Sequence, residues 1–554
     1  MGRARPLPRS LGNNPYSLSS SGSRFKAVWL ILGVVTVFLV LVSIGSNPTQ
    51  VSPSAVRGGV SRQAKAKPTR KELLKLKQNE FPISVTTEQA KAEWETILHP
   101  AEESMAQFLG QSTEKVMQMA VPKFWQAPVT LDGDLLTRAQ AFAIGSRIEP
   151  LDSTIDTSNY RVEDTIDHID LDINPFDHNG LLETIFVMIA SYRDDQCPHT
   201  VESIMKRAHF PERIRIAIVD QRDANANDPS CIQPLEDCIS NPQQALCQYK
   251  DRIDYFEMDA QYGVGPVFAR HVGYRMYRGE YFAMQVDAHV FFVQNWDVML
   301  VDQFKRTGNE MAVMTTYLSD IVGSIDPDTH QSLHEGRPIM CNTIFESDGR
   351  SHMYLRNDQQ PESWPQITST PQLAPYWAAG FSFGRGHFLV QVPYDQYLPM
   401  IFQGEEINIG LRGFSYGYDY YAPEFGVCFH MYANGINKAK RKKIKMFWEN
   451  GSRYEGVEDH SYDRLLGLID MNGPDVDPST WNQVEREKYG LGKARPVTKF
   501  FDLYGIHLDT QTVEGHLCRF VSNSMHSMFV QHLRPNGMGI DYTNVSYKFV
   551  DTEN

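Results

Sequence analysis

The chain lacks the short glycine-rich motifs of the common nucleotide-binding folds. No Gly-x-Gly-x-x-Gly follows its first strand-like apolar segment, and no Gly-Lys-Ser/Thr loop is present. Those loops hold dinucleotide or ATP phosphates, so the familiar dinucleotide and P-loop folds are disfavoured. Cysteine is also scarce, with seven in 554 residues and no Cys-x-x-Cys pair. This pattern argues against a zinc ribbon.

Positive charge is scarce in the larger part of the chain. The first 26 residues carry five basic and no acidic residues, and residues 46–80 carry eight basic and two acidic residues. Since the total is −14, the chain from residue 81 onward has a net charge of about −25. Nucleic-acid phosphates require a basic face, so we expect no nucleic-acid partner. An acidic body is compatible with a metal-using enzyme or with basic or mucin-like substrates.

One long run has no charged residue at all, Ala27 to Gly45. As a helix these 19 residues span roughly 28 Å, the thickness of a bilayer core. Basic residues precede the run, and the first one after it is Arg57. This bias predicts a single-pass type II membrane protein with its body in the Golgi or endoplasmic reticulum lumen. A cleaved signal peptide is the alternative, although the run is long and no clear Ala-x-Ala site ends it.

The composition predicts six segments. Residues 46–80 are rich in Ser, Pro, Gly, Lys and Arg and cannot pack a core, so we interpret them as a stem. The predicted order is a cytoplasmic tail (1–26), an anchor (27–45), the stem (46–80), an extension of unclear role (81–180), a catalytic domain (181–440) and its C-terminal extension (441–554).

The cysteines suit an oxidising lumen. Some of the seven should pair there, and Cys231, Cys238 and Cys247 are close enough in sequence to tether one loop. Because the number is odd, at least one stays free or bonds another chain.

A strand, a helix and a second strand open the predicted catalytic domain. The run from Thr184 to Ala190 is typical of a buried strand, and apolar residues at helical spacing follow Pro198. A second strand from Ile214 to Val219 then ends at Asp220. Polar residues follow both carboxyl ends, which is typical of a parallel nucleotide-binding sheet.

A later strand runs into Asp287-Ala288-His289. A carboxylate and an imidazole two residues apart at a strand end can reach one divalent ion, and that ion can bridge two phosphates. The triplet alone is a weak signal, and a turn residue beside a surface histidine is the plain alternative. Predicted helices before it and after it, from Pro266 and from Asn295, place the triplet between packed elements.

Six segments in one order carry a resemblance to a known family. They are Ile189-Ala-Ser-Tyr-Arg-Asp, Val264-Gly-Pro-Val-Phe-Ala-Arg, Gln285-Val-Asp-Ala-His with Asn295-Trp-Asp, Trp377-Ala-Ala-Gly-Phe, Gly404-Glu-Glu-Ile and His430-Met-Tyr. The sequence from about Glu183 to Tyr432 resembles the family-60 glycosyltransferases, the polypeptide alpha-N-acetylglucosaminyltransferases. One departure stands in the core motif, where Ala288 replaces the serine expected between Asp and His.

The resemblance implies an α/β fold of GT-A type, with a Rossmann-like sheet. It also implies transfer of N-acetylglucosamine from UDP-GlcNAc, with retention of configuration, to a Thr, Ser or hydroxyproline hydroxyl of a polypeptide or glycoprotein. Asp287 and His289 would bind Mn²⁺ or another divalent cation, with His430 as the third ligand. Two nitrogens with carboxylate, diphosphate and water oxygens favour such an ion over a closed tetrahedral zinc. A buried-strand histidine is the plain alternative for His430.

The resemblance also implies roles in binding and catalysis. Arg270 would face a phosphate or a metal-bound carboxylate, and Trp377 with Gly380 would form a wall of the donor site. Glu405 and Glu406 would hold donor-sugar hydroxyls or position the acceptor, although acids at a helix start also simply suit the helix dipole. Uridine and ribose would be held by five residues at strand ends, namely Ser191, Tyr192, Arg193, Asp194 and Asp220.

Other functions stay open. The chain could be another nucleotide-sugar transferase acting on a glycan acceptor, or a catalytically inactive, lectin-like protein on the same fold. A membrane-anchored glycoside hydrolase or phosphodiesterase would need paired acids or a larger His/Asp ligand set. The single Asp-x-His beside a nucleotide-type sheet argues against that last class.

Overall fold

The computed structural model describes residues 94–122, 148–150, 181–334, 338–350, 352–358, 370–432, 438–439, 442–472 and 477–546. The predicted tail, anchor and stem lie outside these ranges, so the span from Ala27 to Gly45 stays a prediction. Across the described ranges, no helix is both long and apolar enough to cross a bilayer.

The described strands are short, and eight of the eighteen belong to one sheet. They are β1 (Trp94–Leu98), β2 (Gln118–Pro122), β3 (Ile148–Pro150), β4 (Leu181–Glu183), β5 (Ile185–Tyr192), β6 (Ile214–Arg222), β7 (Ile253–Asp259), β8 (Phe282–Asp287), β9 (Val290–Phe292), β10 (Ala312–Thr315), β11 (Asn342–Ser347), β12 (Met353–Asp358), β13 (Gln372–Leu373), β14 (Phe381–Arg385), β15 (Asp419–Ala422), β16 (Cys428–His430), β17 (Ile506–His507) and β18 (Thr512–Val513).

The described α-helices lie between and after these strands. They are α1 (Pro100–Phe108), α2 (Cys197–Lys206), α3 (Ala245–Gln248), α4 (Pro266–Tyr274), α5 (Trp296–Arg306), α6 (His387–Gln391), α7 (Glu405–Tyr416), α8 (Val457–Leu468), α9 (Arg486–Tyr489), α10 (Val497–Tyr504), α11 (Leu517–Phe520) and α12 (His526–Val530).

An eight-stranded mixed sheet forms the centre of the fold. Its order is β13-β15-β10-β14-β8-β5-β6-β7. The strands β8, β5, β6 and β7 are parallel, whereas β14 runs antiparallel to both of its neighbours. The strand residues of β5, β6 and β8 are almost all buried, as expected for parallel strands covered on both faces. The predicted α/β class and the predicted strand-helix-strand opening are confirmed.

The Asn295-Trp-Asp segment ties helix α5 to helix α2 and strand β6. Trp296 is fully buried, and its indole Nε1 donates to the Ile204 carbonyl at 2.8 Å. Asp297 is also fully buried, where it accepts from Arg213 Nη2 at 2.8 Å and from the His209 amide at 2.6 Å. These contacts are structural, because they position strand ends without facing a cavity.

The parallel strands bring the predicted site residues to one edge of the sheet. Ser191 pairs in register with Asp220, and Ala190 pairs with Asp287. Just beyond this edge, β9 and β16 pair antiparallel, with His430 opposite Val290. The edge at the carboxyl ends of parallel strands is where ligands bind in open α/β sheets.

Three disulfides join distant segments. Cys238–Cys247 closes one loop, as the sequence spacing suggested, whereas Cys231 bonds Cys197 at the start of α2. The third bond, Cys341–Cys518, joins cysteines 177 residues apart and attaches the C-terminal extension to the catalytic part. The seventh cysteine, Cys428, is buried in β16 and is in no disulfide.

Part of the predicted 81–180 extension packs against the catalytic part. Arg275 Nε donates to the Pro122 carbonyl at 2.8 Å, and His99 Nε2 lies 3.0 Å from the Tyr262 carbonyl. Trp94 contacts Phe256, with ring centroids 6.0 Å apart. These described pieces of the extension therefore help to cover strand β7 and helix α4.

Candidate functional site

The three predicted metal ligands meet at the edge of the sheet. One ligand atom each from Asp287, His289 and His430 lies within 4.8 Å of the others. Asp287 Oδ2 is 3.4 Å from His430 Nε2, and the two imidazole rings are 4.4 Å apart. Strand β8 supplies the carboxylate, the turn between β8 and β9 supplies His289, and β16 supplies His430.

Asp194 lies behind one of the candidate ligands, His289. Its Oδ2 lies 2.7 Å from His289 Nδ1, and its Oδ1 accepts from the Gln196 amide at 2.9 Å. A carboxylate behind a histidine fixes the ring orientation and directs the other nitrogen toward a metal. Asp194 is thus placed to orient a candidate ligand, and its predicted contact with uridine stays a prediction.

The electrostatics of these groups suit a cation. Burial by itself raises the pKa of Asp287, but the His430 hydrogen bond and the Arg270 charge hold that pKa well below its usual range. Burial lowers the pKa of His430, which favours the neutral imidazole that a metal requires. One ionised carboxylate and two imidazoles fit a divalent ion with open positions. Bound there, such an ion would neutralise charge on a diphosphate.

We predict that Asp194→Ala weakens Mn²⁺ binding about 10- to 100-fold, because His289 loses the carboxylate that orients its ring. Calorimetric titration with Mn²⁺ measures this affinity. The neighbouring exposed Asp195 provides a matched control, and Asp195→Ala should bind as the unaltered protein does. Equal affinities for the two variants would contradict the orienting role.

A buried network joins the metal group to helix α7. Arg270 Nη2 donates to Asp287 Oδ1 at 2.8 Å, and Arg270 Nη1 donates to Glu405 Oε1. The same Glu405 oxygen accepts from Tyr394 at 2.6 Å, and Gln285 Nε2 donates to the Tyr394 hydroxyl at 3.0 Å. The prediction that Arg270 faces a carboxylate of the metal site agrees with this contact.

Glu406 lies beside Glu405 but has separate partners. Tyr317 donates to its Oε2, and the Ala379 amide donates to its Oε1 at 2.9 Å. Burial raises the pKa of Glu406 to about 7, and the Glu405 charge adds to the rise. Gly404 precedes the pair at φ 89°, a backbone conformation that suits glycine and turns the chain into α7.

We predict that the free energy of unfolding falls as pH rises toward and through 7, by on the order of 2 kcal/mol, and that Glu406→Gln removes this part. The folded protein holds the Glu406 proton up to about pH 7, while the unfolded chain releases it near 4.5. The contribution is therefore complete below pH 4.5 and lost through pH 7. Urea unfolding at pH 5 and pH 8 measures it.

The control for this prediction is Glu346→Gln, on exposed strand β11. That variant should keep the pH dependence of the unaltered protein. A Glu406→Gln variant with the same pH dependence would show that another group is responsible.

A cavity of about 270 Å³ opens beside these groups. The acidic residues of the site line it, together with the aliphatic and aromatic side chains of three other segments. Its lining includes Arg270, Asp287, Tyr317, Arg356, Ala379, Gly380, Phe402, Glu405, Glu406, His430 and Tyr432. Two of the three candidate metal ligands, both glutamates and one surface arginine therefore face one space.

Gly380 and Trp377, which were predicted to form one wall of the donor site, lie in different environments. Gly380 lines the cavity, and a Cβ there would lie 3.0 Å from Asp287 Oδ2. Trp377 is fully buried under α7, so it packs in the core and forms no part of the cavity lining. Ala288 is also buried, so its departure from serine leaves the cavity lining unchanged.

The predicted uridine residues are mostly engaged with the protein. Arg193 Nε pairs with Asp228 at 2.7 Å, and the Tyr192 hydroxyl donates to the Ala260 carbonyl at 3.3 Å. Asp220 is almost fully buried, and its Oδ2 accepts from the Cys231 amide and the Tyr255 hydroxyl, each at 2.9 Å. Burial raises the pKa of Asp220. Among the described residues, the buried Ser191 hydroxyl has no hydrogen-bond partner.

A second His/Asp group does not fit a metal. Asp348, His352 and Asp459 also lie close enough to share an ion. However, Arg350 already pairs with Asp459 and with Glu458, and His352 contacts Asp348 at 2.6 Å. A cation would have to displace the arginine, so this group forms an ion-pair network.

Sequence reasoning missed the two tyrosines of the site. Tyr317 and Tyr394 come from separate loops and lie in no recognisable motif. Each donates to one of the two glutamates at the start of α7. Their only sequence signal is aromatic character, which a core residue shares.

The comparisons agree with this geometry at the level of the family. The family model described as Glycosyltransferase (GlcNAc) matches residues 184–237 and 230–510. No curated protein matches this chain with significance.

Solved structures resemble the chain only weakly. The GalNAc-T7 structure with UDP, GalNAc and Mn²⁺ is 15% identical at a TM-score of 0.36, covering 57% of this chain and 56% of that chain. The S. aureus TarS 1-349 complex with UDP-GlcNAc is 11% identical at 0.29, covering 52% and 71%. The Pyrobaculum calidifontis mannosyltransferase PcManGT with GDP-Man and Mn²⁺ is 9% identical at 0.27, covering 53% and 77%. At such TM-scores these likenesses carry no inference about ligands.

The family match carries more weight because of its extent. Its two segments together run from residue 184 to residue 510, which is more than half of the 554 residues. They include the carboxyl edge of the sheet, the metal group and both glutamates of α7. The chain therefore belongs to the GlcNAc glycosyltransferase family.

Proposed function

We propose that the protein is a metal-dependent retaining glycosyltransferase of family 60 with a GT-A fold. It transfers N-acetylglucosamine from UDP-GlcNAc to a Thr, Ser or hydroxyproline hydroxyl of a polypeptide. The observation that carries the proposal is that Asp287 and His430, which group with His289 as candidate metal ligands, line one cavity with Glu405 and Glu406.

The donor would bind along the carboxyl edge of the parallel strands. The diphosphate would lie at Asp287, His289 and His430, with Mn²⁺ or another divalent cation. The buried Ser191 hydroxyl, unpartnered among the described residues, lies at the end of β5, and a ribose or uracil group would reach it only after a local side-chain shift.

The two glutamates would have different roles. Glu405 is 4% exposed and holds Arg270 against Asp287, so we assign it a positioning role. Glu406 is less deeply buried, and it has the carboxylate that would contact a donor or acceptor hydroxyl. Its raised pKa of about 7 lets it exchange a proton near neutral pH.

The test is a panel of donors and acceptors. The purified protein is incubated with UDP-GlcNAc, UDP-GalNAc or GDP-mannose and Thr-rich peptides, with Mn²⁺ or with chelator, and NMR determines the anomer. Alpha-linked GlcNAc on peptide, made only with a divalent ion, is the expected product. Transfer from a GDP-sugar, or a beta linkage, would refute the assignment, and transfer to glycans alone would favour the glycan-acceptor alternative.

We also propose that the catalytic part lies in the Golgi or endoplasmic reticulum lumen. The three disulfides support this placement, because such bonds persist in oxidising compartments.

We predict that protease added to intact microsomes leaves everything after Gly45 protected, and that detergent removes the protection. Immunoblotting against the C-terminus measures the result, and digestion of the body without detergent would contradict the topology.

A further inference from the structure

An exposed aromatic pair lies at the mouth of the cavity. Phe402 lines the cavity and is 54% exposed, and Trp448 is 51% exposed. Their rings contact each other at 6.0 Å, and both contact the buried Phe447. Phe447 in turn contacts Tyr192 at 6.3 Å, beside the predicted donor loop. Two large apolar side chains thus face solvent next to the site.

Basic residues adjoin this pair in an otherwise acidic body. Lys442, Lys443 and Lys445 are exposed and precede Trp448 by three to six residues. Within the part of the chain that the structure describes, none of the three ammonium groups is in an ion pair. Since the body carries about −25, three exposed lysines within six residues of Trp448 form a basic segment next to that residue in the chain. We call these lysines with Phe402 and Trp448 the docking ledge.

We propose that the docking ledge binds an acidic segment of the acceptor polypeptide, close to the hydroxyl that receives the sugar. This inference rests on the proposed function and names the acceptor class. Asp or Glu side chains of the acceptor pair with the lysines, and its apolar or proline side chains lie on the two aromatic rings. The segment from Lys442 to Trp448 is long enough to contact at most about six residues of an extended acceptor polypeptide.

The same residue types also occur where proteins rest on anionic membranes. A polypeptide is favoured because the ledge is continuous with the cavity. Phe402 belongs to both, so whatever covers the ledge also approaches the cavity mouth. A bilayer seated there would close that mouth, whereas an acceptor chain must pass through it.

The test uses the full chain in detergent and two labelled Thr peptides. One peptide has Asp and Glu around the Thr, and the other has Asn and Gln at the same positions. Fluorescence anisotropy measures binding without any need for transfer. We expect the acidic peptide to bind about tenfold more tightly, and added salt to reduce the difference, because exposed ion pairs are weak singly and screened.

The variants locate the effect. A Lys442→Ala, Lys443→Ala, Lys445→Ala triple variant should bind both peptides equally, and Trp448→Ala should weaken both. A matched triple variant at other exposed lysines, Lys115→Ala, Lys250→Ala and Lys493→Ala, removes the same charge and should keep the preference. Equal binding of the two peptides by the unaltered protein, or loss of preference in the matched triple, would overturn the proposal.

Two further readouts separate the alternatives. Nanodiscs containing phosphatidylserine are added during peptide binding; unchanged binding supports the proposal, and displacement of the acidic peptide would assign the ledge to a membrane. Hydrolysis of UDP-GlcNAc without any peptide reports the donor site independently. A preference for the acidic peptide without UDP-GlcNAc turnover would refute the proposed donor and support the docking ledge. Turnover without that preference would support the donor and refute the docking ledge.

Discussion

Asp287→Ala is expected to lower the rate of sugar transfer on the order of a hundredfold or more while leaving the protein folded. The substitution removes the one carboxylate among the three candidate ligands, and charge stabilisation at a diphosphate amounts to several kcal/mol. The fold should persist because Arg270 keeps its second partner, Glu405.

Initial rates at saturating UDP-GlcNAc and several Mn²⁺ concentrations measure this effect, with circular dichroism as the check on folding. The exposed Asp328 serves as the control, and Asp328→Ala should retain the full rate. A folded Asp287→Ala protein with an unchanged rate would show that the metal group has been misplaced.

Arg270→Met is expected to lower the free energy of unfolding by about 3–5 kcal/mol, the usual cost of leaving buried charges without their partner. Arg270 is 7% exposed and bridges Asp287 and Glu405, so its removal leaves two adjacent carboxylates without a cation. Mn²⁺ should restore part of the loss, since an ion at Asp287 supplies positive charge at the same place.

Urea unfolding with and without Mn²⁺ measures both parts of this prediction. Arg356→Met is the matched control, because Arg356 lines the same cavity but is 30% exposed and pairs with exposed acids. Exposed pairs contribute about 0–1 kcal/mol, so this variant should lose little. Similar losses for the two arginines would contradict the bridging role.

The sequence pattern predicted the elements whose structure depends only on residues within the same segment. Apolar runs ending in polar residues predicted β5, β6 and β8, and helical spacing after Pro198 predicted α2. Because parallel strands expose their carboxyl ends on one edge, the structure brings Asp220 and Asp287 to the same edge, on either side of β5. Residue type alone then pointed to a cation at Asp287 and His289.

The sequence pattern did not predict contacts between side chains that come from different segments. Asp194 follows β5 like a ligand-binding acid, yet its carboxylate is directed at His289, which strand β8 brings alongside. The sequence predicted that Trp377 forms a wall of the donor site, but helix α7 covers this side chain. Tyr317 and Tyr394 carry no motif; Tyr317 reaches Glu406 from 89 residues away in the chain, and Tyr394 reaches Glu405 from 11 residues before it.

The family resemblance supplied His430 as a candidate ligand. The sequence by itself determined the α/β class, the strand ends, Asp287 and His289 as candidate ligands and the acids that open α7. These depend on apolar periodicity and on residue chemistry, which act over a few neighbouring positions. Only the tertiary structure decided which carboxylate orients His289, which glutamate holds Arg270, and that Phe402 and Trp448 meet beside the cavity. Those outcomes depend on distances between segments that lie tens to more than a hundred residues apart, and such distances are set by packing of the whole sheet.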